Sequence, residues 1–262
     1  MTAKRLISIH WFRQDLRLSD NPALSEAIES GDILPIYILD DINSNDNKMG
    51  EASRWWLHHS LSNLNKKLGG KISFYNGDPK EIFNKLSEQY DVKSIYWNRC
   101  YEPWRIKRDK DLKKDLEEKN IHIETHNGSL LWEPWTVLKN DGTPYRVFSP
   151  YYKRGCLEAP APREPIQEPS LSNIVSNLFD SLSLDDLDLL PKVGWYEDME
   201  NLWSPGEDGA KEKLHKFLDY GLLGYKEGRN FPSRENVSQL SPHMHFGEVS
   251  PNQVWYGAQL KE

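Results

Sequence analysis

The chain has 262 residues, enough for one large domain or two modest ones, and its 37% hydrophobic and 11% aromatic content allows real cores. Two cysteines, Cys100 and Cys156, give neither a disulfide framework nor a metal quartet, and no apolar run reaches the length of a bilayer span. The net charge of -7 weighs against a nucleic-acid partner, although distribution matters more than the sum and a local basic patch stays open.

Residues 1–5 run straight into an alternating strand pattern and lack a signal-peptide layout, which with the two cysteines reads as a reduced, cytoplasmic protein. Residues 6–11 are the first strand. Asp20-Asn21-Pro22 starts a helix with Pro at an early position. Residues 33–39 read as a buried strand, and residues 52–68 as a long amphipathic helix with Trp56, Leu57, Leu61, Leu64 and Leu68 near helical spacing. Residues 71–75 form a strand, and Asp78-Pro79 caps a helix carrying Ile82, Phe83 and Leu86. Residues 92–97 are a strand, 103–119 a highly charged helix and 121–125 a closing strand. Strands alternating with helices predict a doubly wound parallel α/β sheet, with its ligand crevice at the carboxyl ends of the strands. Neither G-x-G-x-x-G nor a Walker loop is present, which disfavours the ordinary dinucleotide and P-loop readings.

After Thr125 the pattern changes. Residues 135–148 read as a hairpin turning at Asp141-Gly142. Residues 157–205 are rich in Pro, Ser and acid, and read as a linker or wrapping loop. Glu158, Glu164, Glu168, Asp180, Asp185, Asp186, Asp188, Glu197, Asp198 and Glu200 face only Arg163 and Lys192 there, so much of the acidity belongs to a connector. A helix starts near Glu207, with Ala210, Leu214, Phe217, Leu218, Leu222 and Leu223 as its apolar face. Ser250-Pro251 looks like the cap and first turn of another. The organisation predicted is 1–130 for the α/β domain, 131–205 for hairpin and connector, and 206–262 for the start of an all-α domain.

Four strings carry chemistry. Phe12-Arg-Gln-Asp-Leu-Arg-Leu-Ser-Asp-Asn-Pro-Ala-Leu24 follows the first strand. There Arg13, Asp15, Arg17 and Asp20 read as a salt-bridged loop fixing the first crossover. In Asn98-Arg-Cys-Tyr-Glu-Pro-Trp-Arg-Ile-Lys-Arg-Asp109, Glu102 falls at the crevice mouth, where a carboxylate accepts hydrogen bonds from a planar heterocycle; taken alone it equally complements a helix N-terminus. Asp40, or equally Asp41, and Arg54 point toward the same crevice. Ser149-Pro-Tyr-Tyr-Lys-Arg154 reads as packing the hairpin on the sheet. The fourth string is the most informative. Tyr225-Lys-Glu-Gly-Arg-Asn-Phe-Pro232 precedes Val237-Ser238-Gln239-Leu240-Ser241, a polar loop whose hydroxyls and amides suit a nucleotide cofactor's phosphates. His243-Met244-His245 has only Glu248 nearby, so loop packing is the expected role and no metal site is predicted. The sequons at Asn127 and Asn236 carry no meaning in a cytoplasmic protein.

These strings, in this order, closely resemble the DNA photolyase/cryptochrome family. The resemblance implies an α/β antenna domain, a connector and the start of a helical FAD-binding domain. It implies that Tyr225, Val237, Ser238, Gln239, Leu240 and Ser241 contact FAD, with Val237 replacing the usual Thr at the loss of one hydroxyl hydrogen bond, worth about 1 kcal/mol. It implies that Asp40, Arg54 and Glu102 contact an antenna chromophore, either methenyltetrahydrofolate or a deazaflavin, and that Arg229 lies near the DNA backbone. The activity implied is that of a deoxyribodipyrimidine photolyase, a lyase. Blue or near-ultraviolet light drives an electron from reduced FAD to a flipped-out cyclobutane pyrimidine dimer in damaged DNA. No residue of this chain is expected to be catalytic, since the ring-gripping and electron-relay residues belong to a later region. The chain alone is expected to be inactive, and a full-length relative to be a monomer off the membrane. A cryptochrome-type light receptor and a stand-alone chromophore-binding module are the alternatives.

Overall fold

In the computed structural model, which describes residues 4–261, five strands form one parallel sheet. Met1, Thr2 and Ala3, on which part of the leader reading rests, and Glu262 lie outside the described residues. The strands are β1 (Leu6–Phe12), β2 (Ile33–Leu39), β3 (Ser73–Asn76), β4 (Asp91–Asn98) and β5 (His122–His126). Between them run α1 (Pro22–Glu29), α2 (Glu51–Lys67), α3 (Pro79–Gln89) and α4 (Pro103–Glu117). The spatial order is β3-β2-β1-β4-β5, so the winding reverses between β1 and β4. Helices on both faces bury the strands twice over, which is why β2 is apolar along its whole length rather than alternating. One core holds Phe12, Leu24, Trp55, Trp56 and Leu61 under α1 and α2. The other holds Ile9, Trp11, Phe83, Trp97 and Leu112 under α3 and α4. Asn21 and Asp78 cap α1 and α3 as expected, each accepting a backbone N–H of the first turn ahead of a Pro.

The hairpin over residues 135–148 does not form strands. The turn itself is there, with Gly142 at φ 76° and the Lys139 N–H donating to the Thr143 carbonyl at 2.9 Å. Pro134 and Pro144 flank it and donate nothing, so no ladder grows from the turn. The next segment is the short helix α5 (Phe148–Pro150), widening into a π turn, Tyr151–Cys156, whose Gly155 rests on Val137 and Tyr145. The acidic connector wraps the sheet more closely than a linker. Ile174, Leu187 and Leu189 are buried in the core, and single bridges join Ile174 to Ile33 and Leu182 to Phe74. It ends in α6 (Glu197–Leu202).

The helical part comprises α7 (Glu207–Lys216), α8 (Tyr225–Gly228), α9 (Ser241–His245) and α10 (Pro251–Gln259). Of the stripe expected on α7, Ala210, Leu214 and Leu218 pack on one small core. A π turn at Phe217–Gly221 then breaks the 3.6 period, and Leu223 is 91% exposed. Residues 225–228 are a one-turn helix where a loop was expected. Ser250 and Gln253 form a full capping box on α10.

The first-crossover string binds this helical part to the sheet. Arg13, Asp15, Arg17 and Asp20 are all buried but are not simply bridged to one another. Arg17 donates to the carbonyls of Asp20, Gly128 and Gly247. Asp20 accepts from Arg163 at 2.5 Å and from the Ser250 hydroxyl. Asp15 accepts from the Asn98 amide at 2.6 Å. Gly247, at φ 67°, lies so close to the Gln14 carbonyl that a Cβ would overlap it.

Candidate functional site

A cavity of about 490 Å³ opens at the carboxyl ends of the strands, where the winding reverses. Trp11, Arg13 and Gln14 come from the end of β1, and Tyr37 and Asp40 from the end of β2. Glu102, Trp104, Arg105 and Arg108 come from the turn into α4, and His245 and Phe246 from the end of α9. The wall alternates indole and guanidinium. Arg13 lies 4.9 Å from the Trp11 ring centre, Arg108 5.0 Å from Trp11 and 5.2 Å from Trp104, and Arg105 5.0 Å from Trp104. Arg108 also donates to Asp40 at 2.8 Å, and Arg13 pairs with Asp109. Burial pushes the Asp109 carboxyl up, but Arg13 and Arg108 outweigh burial and hold it below the usual carboxylate range.

The donors here are not all used. Trp11 Nε1, Arg13 Nε and Arg105 Nε are buried with no partner among the described residues. Such groups are costly unless something accepts from them. A planar heterocycle with ring acceptors, laid against this indole and guanidinium wall, suits the lining and the orphaned donors. Glu102 sits in the N-cap position of α4 and makes no capping bond, so it serves the helix N-terminus through charge alone. Its carboxylate lies 3.8 Å from Arg105 Nε and is left to face the cavity mouth.

Of the three antenna positions, Glu102 and Asp40 line the cavity and Arg54 does not. Arg54 is drawn to Asp41 and to the Met49 carbonyl at 3.1 Å, because Asp41 follows Asp40 on the loop and meets the first turn of α2. Arg108, not Arg54, is the cation on Asp40. Trp104 and Arg108 stood inside the string around Glu102, where the i, i+4 spacing on a helix could have flagged them. His245 and Phe246 could not be found that way, since only the tertiary fold carries α9 to the sheet. Burial, and then Arg105, pull the His245 imidazole below its ordinary value against the pull of Glu102.

The second region is built from α8 and the loop at residues 237–241. Tyr225 opens α8 edge-on to Phe217, at 5.8 Å, with the Arg229 guanidinium 5.3 Å over its ring. Arg229 is exposed beside it. The N–H groups of Val237, Ser238 and Gln239 donate to no protein acceptor among the described residues. Gln239 adopts φ 54° and accepts from Lys213 at 2.9 Å. Leu240 anchors the loop in a small core with Ala210, Leu214 and Val249, and Ser241 begins α9. Val237, Ser238 and Gln239 edge a cleft of about 330 Å³ with Lys213, Lys216 and Arg234, and Tyr225 is outside that lining. Free amides beside cations suit an anionic group such as a dinucleotide's phosphates. His243 packs as expected, against Trp56 and Trp203, but from helix α9 and not from a loop. It is fully buried, with Nδ1 2.5 Å from Glu248, whose carboxylate also accepts from Trp56 at 3.0 Å and Gly206 N at 2.6 Å. Among the described residues no cluster of three potential metal ligands occurs.

The family model described as DNA photolyase matches residues 8–170, more than half of the chain. The chain belongs to the DNA photolyase family. It is 38% identical over 266 residues to a deoxyribodipyrimidine photo-lyase of Agrobacterium fabrum, covering 99% of this chain and 54% of that protein. It is 32% identical to cryptochrome-1 of Arabidopsis thaliana, covering 97% of this chain and 38% of that one. The crystal structure of a bacterial class III photolyase from Agrobacterium tumefaciens superposes with a TM-score of 0.88 at 36% identity, over 98% of this chain and 53% of that one. The chain thus spans about half the length of the photolyases it matches. Among the described residues no helix is long and apolar enough to cross a membrane.

Proposed function

We propose that this photolyase-family chain supplies the antenna-chromophore site and one wall of the FAD site of a cytoplasmic deoxyribodipyrimidine photolyase. In this reading residues 1–130 are the antenna domain, 131–205 the connector and 206–262 the start of the FAD-binding domain. The observation that carries it is the pairing of two features in one chain: the Trp- and Arg-walled cavity at the sheet's switch point, and the loop at residues 237–241 with its free amides. The antenna chromophore, a folate or a deazaflavin, is held against the wall of Trp11, Arg108 and Trp104 and accepts from Arg13 and Arg105. Glu102 takes the ring N–H donors at the cavity mouth. Residues 237–241 hold the FAD phosphates through backbone N–H groups, Ser238 adds a hydroxyl, and Tyr225 packs against the cofactor. Arg229 meets the phosphate backbone of the damaged DNA. FAD when bound supplies the light-driven electron that splits the pyrimidine dimer; this chain's share is to bind and orient.

The polypeptide translated from the complete reading frame around these residues provides the test. Reduced and illuminated with blue light, it should remove cyclobutane dimers from irradiated oligothymidylate. A protein that retains FAD yet leaves dimer levels unchanged in light would refute repair. The identities with Arabidopsis cryptochromes, 32% and 29%, favour a light receptor as the second reading in that case.

A further inference from the structure

The Asn236-Val237-Ser238 triplet has a use that glycosylation would forbid. Asn236 lies one residue ahead of the free-amide loop, and its side chain turns back toward α8. Its amide Nδ2 donates to the Gly221 carbonyl at 3.0 Å and to the Leu223 carbonyl at 3.2 Å. Both of its N–H bonds are thereby used, and they fix Gly221 and Leu223 in the segment that leads into Gly224. Gly224 sits at φ 86° and turns the chain into α8, which begins with Tyr225. Beyond the turn, the Asn236 side chain packs directly on Gly228, the last residue of α8. A Cβ at Gly228 would overlap Asn236 Oδ1, Cγ and Cβ. Gly221 is also closely held, since a Cβ there would stand 3.0 Å from the Glu235 carbonyl and 2.8 Å from Phe217. One side chain thus grips both ends of the Tyr225 turn. Its own backbone continues directly into Val237, Ser238 and Gln239.

We infer that Asn236 is a positioning residue that locks the Tyr225 turn and the loop at residues 237–241 into one unit, and so sets the geometry of the proposed FAD wall. The inference rests on the FAD reading of that loop for its functional half. The chemistry is specific to an amide. Asp at this position keeps the shape over Gly228 but turns a carboxylate oxygen toward two carbonyl oxygens. Ala removes the bonds and leaves a gap over Gly228. Ala at Gly228 leaves Asn236 intact and drives it out of place.

Backbone amide NMR of the whole chain reads the mechanical half without any cofactor. In Asn236→Asp, Asn236→Ala and Gly228→Ala, the amide resonances of residues 225–229 and those of residues 237–240 should shift and broaden together, while those of β1 and β4 stay as in the wild type. A change in one segment alone, or in neither, would overturn the lock. FAD titration under reducing conditions, followed by flavin fluorescence, reads the functional half. Asn236→Asp should weaken uptake at least tenfold while the thermal midpoint of the sheet stays within a few degrees of wild type. Uptake equal to wild type in all three variants would overturn the positioning role. Because this chain carries only one wall of the proposed site, the titration uses the polypeptide translated from the complete reading frame; failure of that wild-type polypeptide to take up FAD would instead refute the FAD reading of the loop, and the resonance result would still decide the lock.

Discussion

At the scale of single residues, the chain carries buried groups whose charge states make its stability depend on pH. His10 on β1 is fully buried, and burial pushes its imidazole down to about 4 against the weaker opposing pull of Asp15. The folded protein therefore keeps His10 neutral while the unfolded chain takes a proton near pH 6.5. Stability is unaffected above about pH 6.5 and falls as the pH drops from there to about 4, by about 3 kcal/mol in all. Urea unfolding of the wild type between pH 7 and 5 should show a falling midpoint. His10→Gln should flatten that slope, and an unchanged slope would assign the acid sensitivity elsewhere. The cavity makes a second prediction. Arg108 stacks on two indoles and neutralises Asp40, so Arg108→Met leaves a buried carboxylate without its cation and removes one wall. Binding of methenyltetrahydrofolate or a deazaflavin, whichever the wild type takes up by absorbance, should weaken about tenfold or more. Arg54→Met, with its partner Asp41 off the cavity wall, should leave that affinity within about twofold. The reverse order would restore Arg54 to the site.

At the scale of elements, the joint between sheet and helices depends on α7. Glu207 begins that helix, and its buried carboxylate accepts from Leu18 N at 3.2 Å, Ser19 N at 3.1 Å and Lys211 at 3.0 Å. Burial raises its carboxyl, but Ser19, Lys211 and the Leu18 N–H together bring it down to about 2. Its contribution is therefore complete above about pH 4.5 and is lost as the pH falls toward 2. Glu207→Gln should cost about 2–3 kcal/mol at pH 7, measured by denaturant unfolding, and the gap to wild type should close in acid. A gap that persists at pH 2 would mean that packing, not charge, holds α7. The elements themselves were legible wherever local chemistry decides them. Asn21-Pro22, Asp78-Pro79 and Ser250-Pro251 each mark a helix start, and the all-apolar β2 marks a strand buried on both faces. The hairpin at residues 135–148 misled because a turn signal fixes a turn and says nothing of whether the arms can donate to each other. The stripe on α7 misled at Leu223 because a π turn changes the period without altering composition.

At the scale of the whole molecule, the sheet order places Glu102 and Asp40 at one cavity, as alternation and the switch-point rule imply. What the sequence could not show is that this cavity is completed from the far end of the chain. His245 and Phe246 close it, and they follow directly on the loop that ends at Ser241. Glu248, fully buried, ties that segment to Trp56 and Ser60 of α2 through bonds spanning nearly two hundred residues. The proposed antenna cavity and the proposed FAD loop therefore share α9 as a common support. Long-range bonds of this kind leave no periodicity to read, so the site was visible as strings and not as an assembly.

The account stands on residues 225–241 being a surface that faces flavin adenine dinucleotide. Photo-cross-linking of the reduced chain with an azido-FAD, followed by peptide mapping, tests this most directly. Adducts should fall within residues 225–241 and be suppressed by excess FAD. Adducts confined to the sheet cavity, or labelling that excess FAD does not compete, would contradict it.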